Sequence, residues 1–306
     1  MKRLAATALA LLALCCAVPL VSLSSVRTLG APSALEVYGG LGSWLDIFAG
    51  RPWSHPATVV ASAKAHGVGT LYLETSNYSH ASDIVRPAAL GRFVEVAHAA
   101  GLKVVAWYLP SFSNPALDLR RAHAAIAFRS RRGQRFDGFA LDIEASYVAN
   151  VSLRNARLLA LAQFLRRTAP TSYPLGAIIP SPVGMRRHPH YWPRFPYSQL
   201  ASIFDAFLPM AYFSYYAHTP AAAYSYARDV VLAVRAQTGR SDDVIHVIGG
   251  SARVMPAATL AGFVGAVSDC GAQGISLYAF PQTSAEDWTD LAAANLGGTP
   301  APACRG

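Results

Sequence analysis

From residue 35 onward, short apolar runs alternate with longer stretches in which apolar residues recur every three or four positions. The runs predict strands at 43–48, 69–74, 103–109, 138–143, 175–180, 206–212, 244–248 and 274–280. The periodic stretches predict helices at 56–66, 90–100, 115–132, 153–167, 197–203, 220–238, 259–270 and 285–296. Gly67, Gly101, Gly133, Gly239 and Gly271 follow five of them, where a helix commonly stops. Eight strand-then-helix units imply a parallel sheet, and eight in about 260 residues fit a closed (β/α)8 barrel of the TIM type. A doubly wound open sheet is the alternative, but its nucleotide-binding members carry a glycine-rich turn after the first strand, and this sequence has none. With no linker or composition break after residue 35, a single barrel domain is expected over 35–296, followed by a short tail at 297–306.

The fourth strand breaks the apolar pattern. Gly138-Phe139-Ala140-Leu141-Asp142-Ile143-Glu144 places two carboxylates two residues apart at its carboxyl end. Strand side chains alternate between faces, so Ala140, Asp142 and Glu144 share one face while Phe139, Leu141 and Ile143 share the other. Two acids on an apolar strand are costly to desolvate unless paired or functional. In a barrel the strand ends and the loops that follow them build the active site. Asp46, Glu74, Trp107, Tyr212 and Tyr278 reach the same rim by the same reasoning. A rim of acids and aromatics suits sugars: aromatic faces stack on sugar rings, and carboxylates protonate or attack the glycosidic bond. Trp107 and Tyr278 are expected to line the pocket; Asp46 and Glu74 are expected either to bind substrate or to form structural ion pairs.

Composition narrows this picture without changing it. Hydrophobic residues make up 53% of the 306 and charged residues 14%, which places the chain among core-rich globular proteins. Part of the apolar excess lies at the amino terminus, where Lys2 and Arg3 precede a run from 4 to 23 broken only by Thr7, Pro19 and Ser22. Residues 1–30 therefore read as a signal peptide or an uncleaved amino-terminal anchor, and a secreted or extracytoplasmic location is expected, with that segment the sole membrane contact. Cys270 and Cys304 are the two cysteines outside this run, and in an exported protein they suggest one disulfide holding the tail to the body. No CxxC, HExxH or phosphate-binding glycine loop occurs, so no metal, nucleotide or other cofactor is expected. His188 and His190, in the connection 181–196, are read as loop packing. The net charge of +9 is spread over predicted helices, as in Arg120, Arg121, Arg129, Arg131 and Arg132, without a nucleic-acid-binding motif.

The fourth-strand residues carry a resemblance. Asp137-Gly138-Phe139-Ala140-Leu141-Asp142-Ile143-Glu144 resembles the DGxDxDxE motif of family 18 glycoside hydrolases, the chitinase family, and Met210-Ala211-Tyr212 resembles its Met-x-Tyr on strand six. The resemblance implies that Glu144 is the proton donor, that Asp142 orients the substrate's N-acetyl group as internal nucleophile, and that the Tyr212 hydroxyl supports the resulting ring. The sequence departs from the pattern at Ala140, where the family has an Asp, at Phe213, where an Asp usually follows the Tyr, in strand three, which lacks a Ser-Gly signature, and in strand eight, which ends in Tyr278 and Phe280 rather than Trp. A second resemblance is to family 25 lysozymes, which also end strand four in Asp-x-Glu and place an Asp at the end of strand one, a role open to Asp46.

The expectation is thus an exported, monomeric glycosidase acting on a polysaccharide or oligosaccharide, with N-acetyl sugars favoured, through Glu144, Asp142 and Tyr212. The alternative from another class is a lectin-like barrel that binds carbohydrate without cleaving it, for which Ala140 and Phe213 argue.

Overall fold

The computed structural model describes residues 33–240 and 243–304. The expected export segment at 1–30 lies outside the described residues. Eight parallel strands close into a barrel in chain order: β1 Gly40–Leu45, β2 Thr70–Asn77, β3 Lys103–Leu109, β4 Gly138–Asp142, β5 Leu175–Pro180, β6 Ala206–Met210, β7 Val244–Ser251 and β8 Gly274–Tyr278. Ten α-helices are described: α1 Ala34–Tyr38, α2 Pro56–Ala65, α3 Pro87–Ala99, α4 Pro115–Ala127, α5 Val151–Thr168, α6 Pro182–Arg187, α7 Tyr197–Ala201, α8 Pro220–Thr238, α9 Leu260–Asp269 and α10 Ala285–Ala292. The (β/α)8 barrel predicted from the alternation is the observed fold. Among the described residues no helix is long and apolar enough to cross a membrane.

Local chemistry explains the element ends. Asn114, Asn150, Ser181, Thr219 and Ser284 each accept a backbone N–H of the helix they precede, and proline fills the first turn of α4, α6 and α8. Gly239 ends α8 in the left-handed conformation, φ 72°, which costs glycine little. Several boundaries differ from the sequence reading, among them β1, which lies at Gly40–Leu45 and not 43–48, and two have a local cause. Residues 34–38 form a short helix ahead of β1, nucleated by a capping box in which Ser33 and Glu36 satisfy each other's backbone N–H. The fourth helix stops at Ala127, five residues early, because Ser130 turns the chain, its hydroxyl accepting the backbone N–H of Arg132 and Gln134.

Alternation along the strands divides the core in two. Outward side chains such as Phe139, Leu141, Phe207 and Leu277 pack beneath the helices, and inward ones such as Trp44, Tyr72, Val105, Trp107, Ala140 and Leu208 fill the barrel. Inside, Trp44 stacks on Tyr72 with ring centroids 4.1 Å apart, and Trp107 meets Trp44 edge-on at 6.1 Å. The amino-terminal end of the barrel is plugged by Tyr38, whose hydroxyl donates to the Phe139 carbonyl at 2.7 Å. Such plugging needs space: a Cβ on Gly176 would stand 2.8 Å from the Tyr38 ring, and one on Gly274 only 2.1 Å from His246 Nδ1. β1 and β8 are paired over two register positions, Gly40 with Gly274 and Leu41 with Ile275. A disulfide joins Cys270, just after α9, to Cys304 in the tail.

His246 is the polar centre of this plug. Its Nδ1 lies 2.8 Å from the Tyr38 carbonyl, which only accepts, so Nδ1 carries the proton. Nε2, 2.8 Å from Ser276 Oγ, then accepts from that hydroxyl, and Ser276 Oγ itself accepts the Trp44 indole N–H at 2.8 Å. Burial without a counter-charge drives the imidazole pKa down to about 4. The folded protein therefore keeps His246 neutral over a range where an unfolded histidine, titrating near 6.5, takes up a proton. The stabilisation is complete above the unfolded value and is lost as pH falls from about 6.5 through about 4, amounting to about 3 kcal/mol. Urea unfolding at pH 7 and pH 4.5 measures this. The wild type should lose stability more steeply than His246→Gln, which has no proton to gain; parallel curves would show that His246 is not the titrating group.

Candidate active site

β4 reaches the barrel mouth carrying Ala140 inward and fully buried. Asp142 follows on the same face, 7% exposed, and its Oδ1 is buried without a hydrogen-bond partner. The Ile143 N–H donates to the Ile178 carbonyl at 2.8 Å, so the ladder continues past β4 and delivers Glu144 to the same side. Glu144 lines a cavity of about 490 Å³ together with Met185, His188, Tyr191, Tyr212 and Tyr216. Its backbone is held from the β5–β6 connection, where the Tyr191 hydroxyl donates to the Glu144 carbonyl in a short hydrogen bond. Arg154 of α5 supports that loop, donating to the Tyr191 carbonyl at 2.8 Å and stacking over Trp192 at 4.2 Å.

The electrostatics of the pair follow from burial. Asp142 is held well above the ordinary carboxylate range by desolvation first, then by the neighbouring Glu144 and Glu74. Desolvation raises Glu144 as well. Tyr212, just beyond β6, has its hydroxyl raised by burial and by the charges of Asp142 and Glu144, which places it in the field of both acids. The residue after it, Phe213, turns outward and stacks on Phe263 with centroids 5.0 Å apart. Its side chain belongs to the layer beneath the helices.

The remaining rim residues fall into two groups. Asp46 Oδ2 accepts the Tyr278 hydroxyl at 2.7 Å and Oδ1 accepts the Phe48 N–H at 2.8 Å, so the first and last strands meet through this pair. Glu74, 2% exposed, takes the Ile47 N–H on Oε2 at 2.9 Å and the Asn77 amide on Oε1 at 3.1 Å. Burial, reinforced by Asp46 and Glu144, pushes its pKa up to about 7. Trp107 is inside the barrel, with its indole N–H buried and unpartnered. Among the described residues no group of three or more His, Cys, Asp or Glu side chains is arranged to hold a metal ion.

Three aromatic residues were not singled out from the sequence as site residues. Tyr191 reaches Glu144 across 47 positions of chain. Tyr78, after β2, and Tyr147, after β4, join their hydroxyls in a short hydrogen bond with rings 4.9 Å apart, and the Glu144 charge reaches Tyr78. Tyr147 is 61% exposed. An exposed tyrosine between an acid pair and the next helix is the one signal the sequence offered.

Solved structures share this barrel fold. A chitinase from Chromobacterium violaceum superposes with a TM-score of 0.57 at 12% identity, covering 83% of this chain and 98% of that one. The spore cortex-lytic enzyme SleL of Bacillus cereus gives 0.61 at 9% identity, covering 89% and 77%. An endo-1,4-beta-mannanase from Rhizomucor miehei gives 0.58 at 11%, covering 79% and 86%. The chain shares its fold with chitinases. No protein-family model matches the sequence, and no curated protein matches it. The resemblance to family 18 thus has a counterpart at the level of the barrel, and the one to family 25 lysozymes has none among these structures.

Proposed function

We propose that the protein is a glycoside hydrolase acting on a glycan that contains N-acetyl sugars. The observation that carries this reading is the Asp142–Glu144 pair at the barrel mouth, both acids raised by burial and one of them lining the cavity. An acid that stays protonated towards neutral pH can give its proton to a glycosidic oxygen, and desolvation is the ordinary way to arrange that. Glu144 is that donor. The buried, unpartnered Oδ1 of Asp142 is suited to accept an N–H, which the acetamido group of an N-acetyl sugar supplies. With the amide so held, its carbonyl oxygen attacks the anomeric carbon as the bond to the leaving oxygen breaks and Glu144 protonates that oxygen. Tyr212 donates a hydrogen bond to the carbonyl oxygen, and water activated by Glu144, now a base, opens the ring with overall retention. The fold neighbours include chitinases and a cortex-lytic enzyme, which favours this substrate class.

A second reading, carbohydrate binding without hydrolysis, is favoured by Ala140, since no acid stands on β4 beside Asp142 at that position. Release of reducing ends from chitin, peptidoglycan and a neutral glucan separates the two. Products from an N-acetylated polymer and none from the glucan are expected. Saturable binding with no product from any polymer would leave the lectin-like reading standing.

A further inference from the structure

We propose that Glu74 is a positioning residue that provides Asp142 with the neighbouring carboxyl group missing at Ala140, displaced from β4 to β2. The inference rests on the hydrolase reading for its role in catalysis, and on geometry for the partnership itself. Strand register and strand tilt together place each inward residue: Glu74 on β2 pairs with Trp107 on β3, and Trp107 pairs with Ala140 on β4. The strands of the closed barrel are tilted, so the β4 residue level with Glu74 lies about two positions beyond Ala140, at Asp142, two strands or about 10 Å of sheet away. Trp107, which occupies the strand between, puts its indole inside the barrel. Tyr72, two residues before Glu74, is in the interior stack, so alternation turns Glu74 inward as well. Glutamate is also one methylene longer than aspartate.

The Glu74 carboxyl is built in, not merely buried. Its two oxygens each accept an N–H, from Ile47 and from Asn77, which fixes the plane of the group. Among the described residues it takes part in no ion pair; the nearby Arg86 guanidinium is used by the Ile47 carbonyl, to which it donates at 2.8 Å. The other titratable groups around it are Asp46 at the end of β1, Asp142 and Glu144 on β4, and Tyr278 at the end of β8. A cation in this ring would let all the acids ionise. Without one, carboxyl groups that raise one another share protons, and their titration belongs to the set. A neutral Glu74 leaves Asp142 and Glu144 with one fewer negative neighbour. Its ionisation, with the pKa pushed up to about 7 by burial, adds a further negative charge that raises Asp142 further.

The test is a carboxyl titration of the free protein labelled with 13C at Asp and Glu side chains, in the wild type, Glu74→Gln and Asp142→Asn. Asp142 in the wild type should show a second inflection that coincides with the titration of Glu74 and vanishes in Glu74→Gln. Coupling is reciprocal, so the Glu74 titration should fall by about half a pH unit or more in Asp142→Asn. Should Glu74→Gln fail to fold, the Asp142→Asn arm decides alone. Superimposable Glu74 curves in wild type and Asp142→Asn would overturn the proposal, as would an unchanged Asp142 curve in folded Glu74→Gln. Hydrolysis assays keep the two readings apart. Coupled curves in a protein that cleaves no glycan would refute the hydrolase reading and leave the carboxyl partnership intact. Uncoupled curves in an active enzyme would refute the partnership alone. In an active enzyme the pH profile of kcat should lose its inflection near 7 in Glu74→Gln with KM little changed, a split that simple loss of packing would not produce.

Discussion

Glu144→Gln should lower turnover of a natural polysaccharide by about 10³-fold, the scale expected when a general acid is removed, while the protein still folds. The folded state has little to lose. The group that anchors this residue is its backbone carbonyl, which accepts from Tyr191 and is untouched by the substitution. Glutamine keeps the shape of the side chain and removes only the transferable proton. Its effect should shrink on aryl glycosides whose leaving group departs without protonation, since the step that Glu144 assists is then no longer limiting. The pH dependence has a definite sign. Burial raises Glu144, and the acid acts in its protonated form, so wild-type activity should fall as pH rises through that raised value, above the usual carboxylate range. Residual activity of Glu144→Gln should lack that limb. Wild-type rates in the variant would remove Glu144 from the chemistry.

The second large effect is a trade between activity and stability at Asp142. Asp142→Asn should lower kcat by about 10²-fold or more, because an asparagine that presents its NH2 to the acetamido N–H repels it, and one that presents its oxygen has lost the charge. The same variant should be more stable than the wild type at neutral pH. Asp142 carries a buried oxygen without a partner, and burial and two neighbouring acids hold its carboxyl well above the usual carboxylate range. A carboxyl raised in this way favours the folded state fully below the unfolded value near 3.9, and that contribution disappears as pH rises through the raised folded value. Asparagine does not ionise, so the variant should be the more stable of the two at pH 7 and the gain should vanish near pH 3. Urea titrations at the two pH values check the sign. Equal stabilities at both would mean that the carboxyl is not destabilised where it stands.

Much of this architecture is legible from patterns of period two and period three to four. Phe139 and Leu141 face the helices while Ala140 faces the interior, as simple alternation requires, and the same rule delivers Asp142 and Glu144 to one side of β4. The departure from the expected motif at Phe213 has a physical reason that sequence could not provide. The chain leaves β6 at Met210, and the side chain of Phe213 is taken up against Phe263 of α9. What escapes a linear reading is lateral. Whether Glu74 stands level with Asp142 depends on the register and tilt of three strands, and the β2–β3 pairing shifts just beyond it, between Glu74 and Ser76. The Tyr191 bond to Glu144 and the Tyr78–Tyr147 pair likewise link loops that adjoin only because their strands lie side by side or one apart in the sheet. Short local signals were also passed over: Ser33 and Glu36 form a capping box, yet a five-residue helix leaves no periodicity to find.

The ring of strands is complete only where β8 meets β1, and there the ladder is just two positions long. The Cys270–Cys304 bond spans 34 residues of sequence and encloses the whole of β8 and α10 in one covalent loop. It works as a hoop around the last stave. Closing a loop of that length restrains the unfolded chain by about 4 kcal/mol on a chain-entropy view. The thinnest seam of the barrel is therefore backed by a bond whose survival depends on the thiol chemistry of the surroundings, and an oxidising milieu keeps the barrel fastened there.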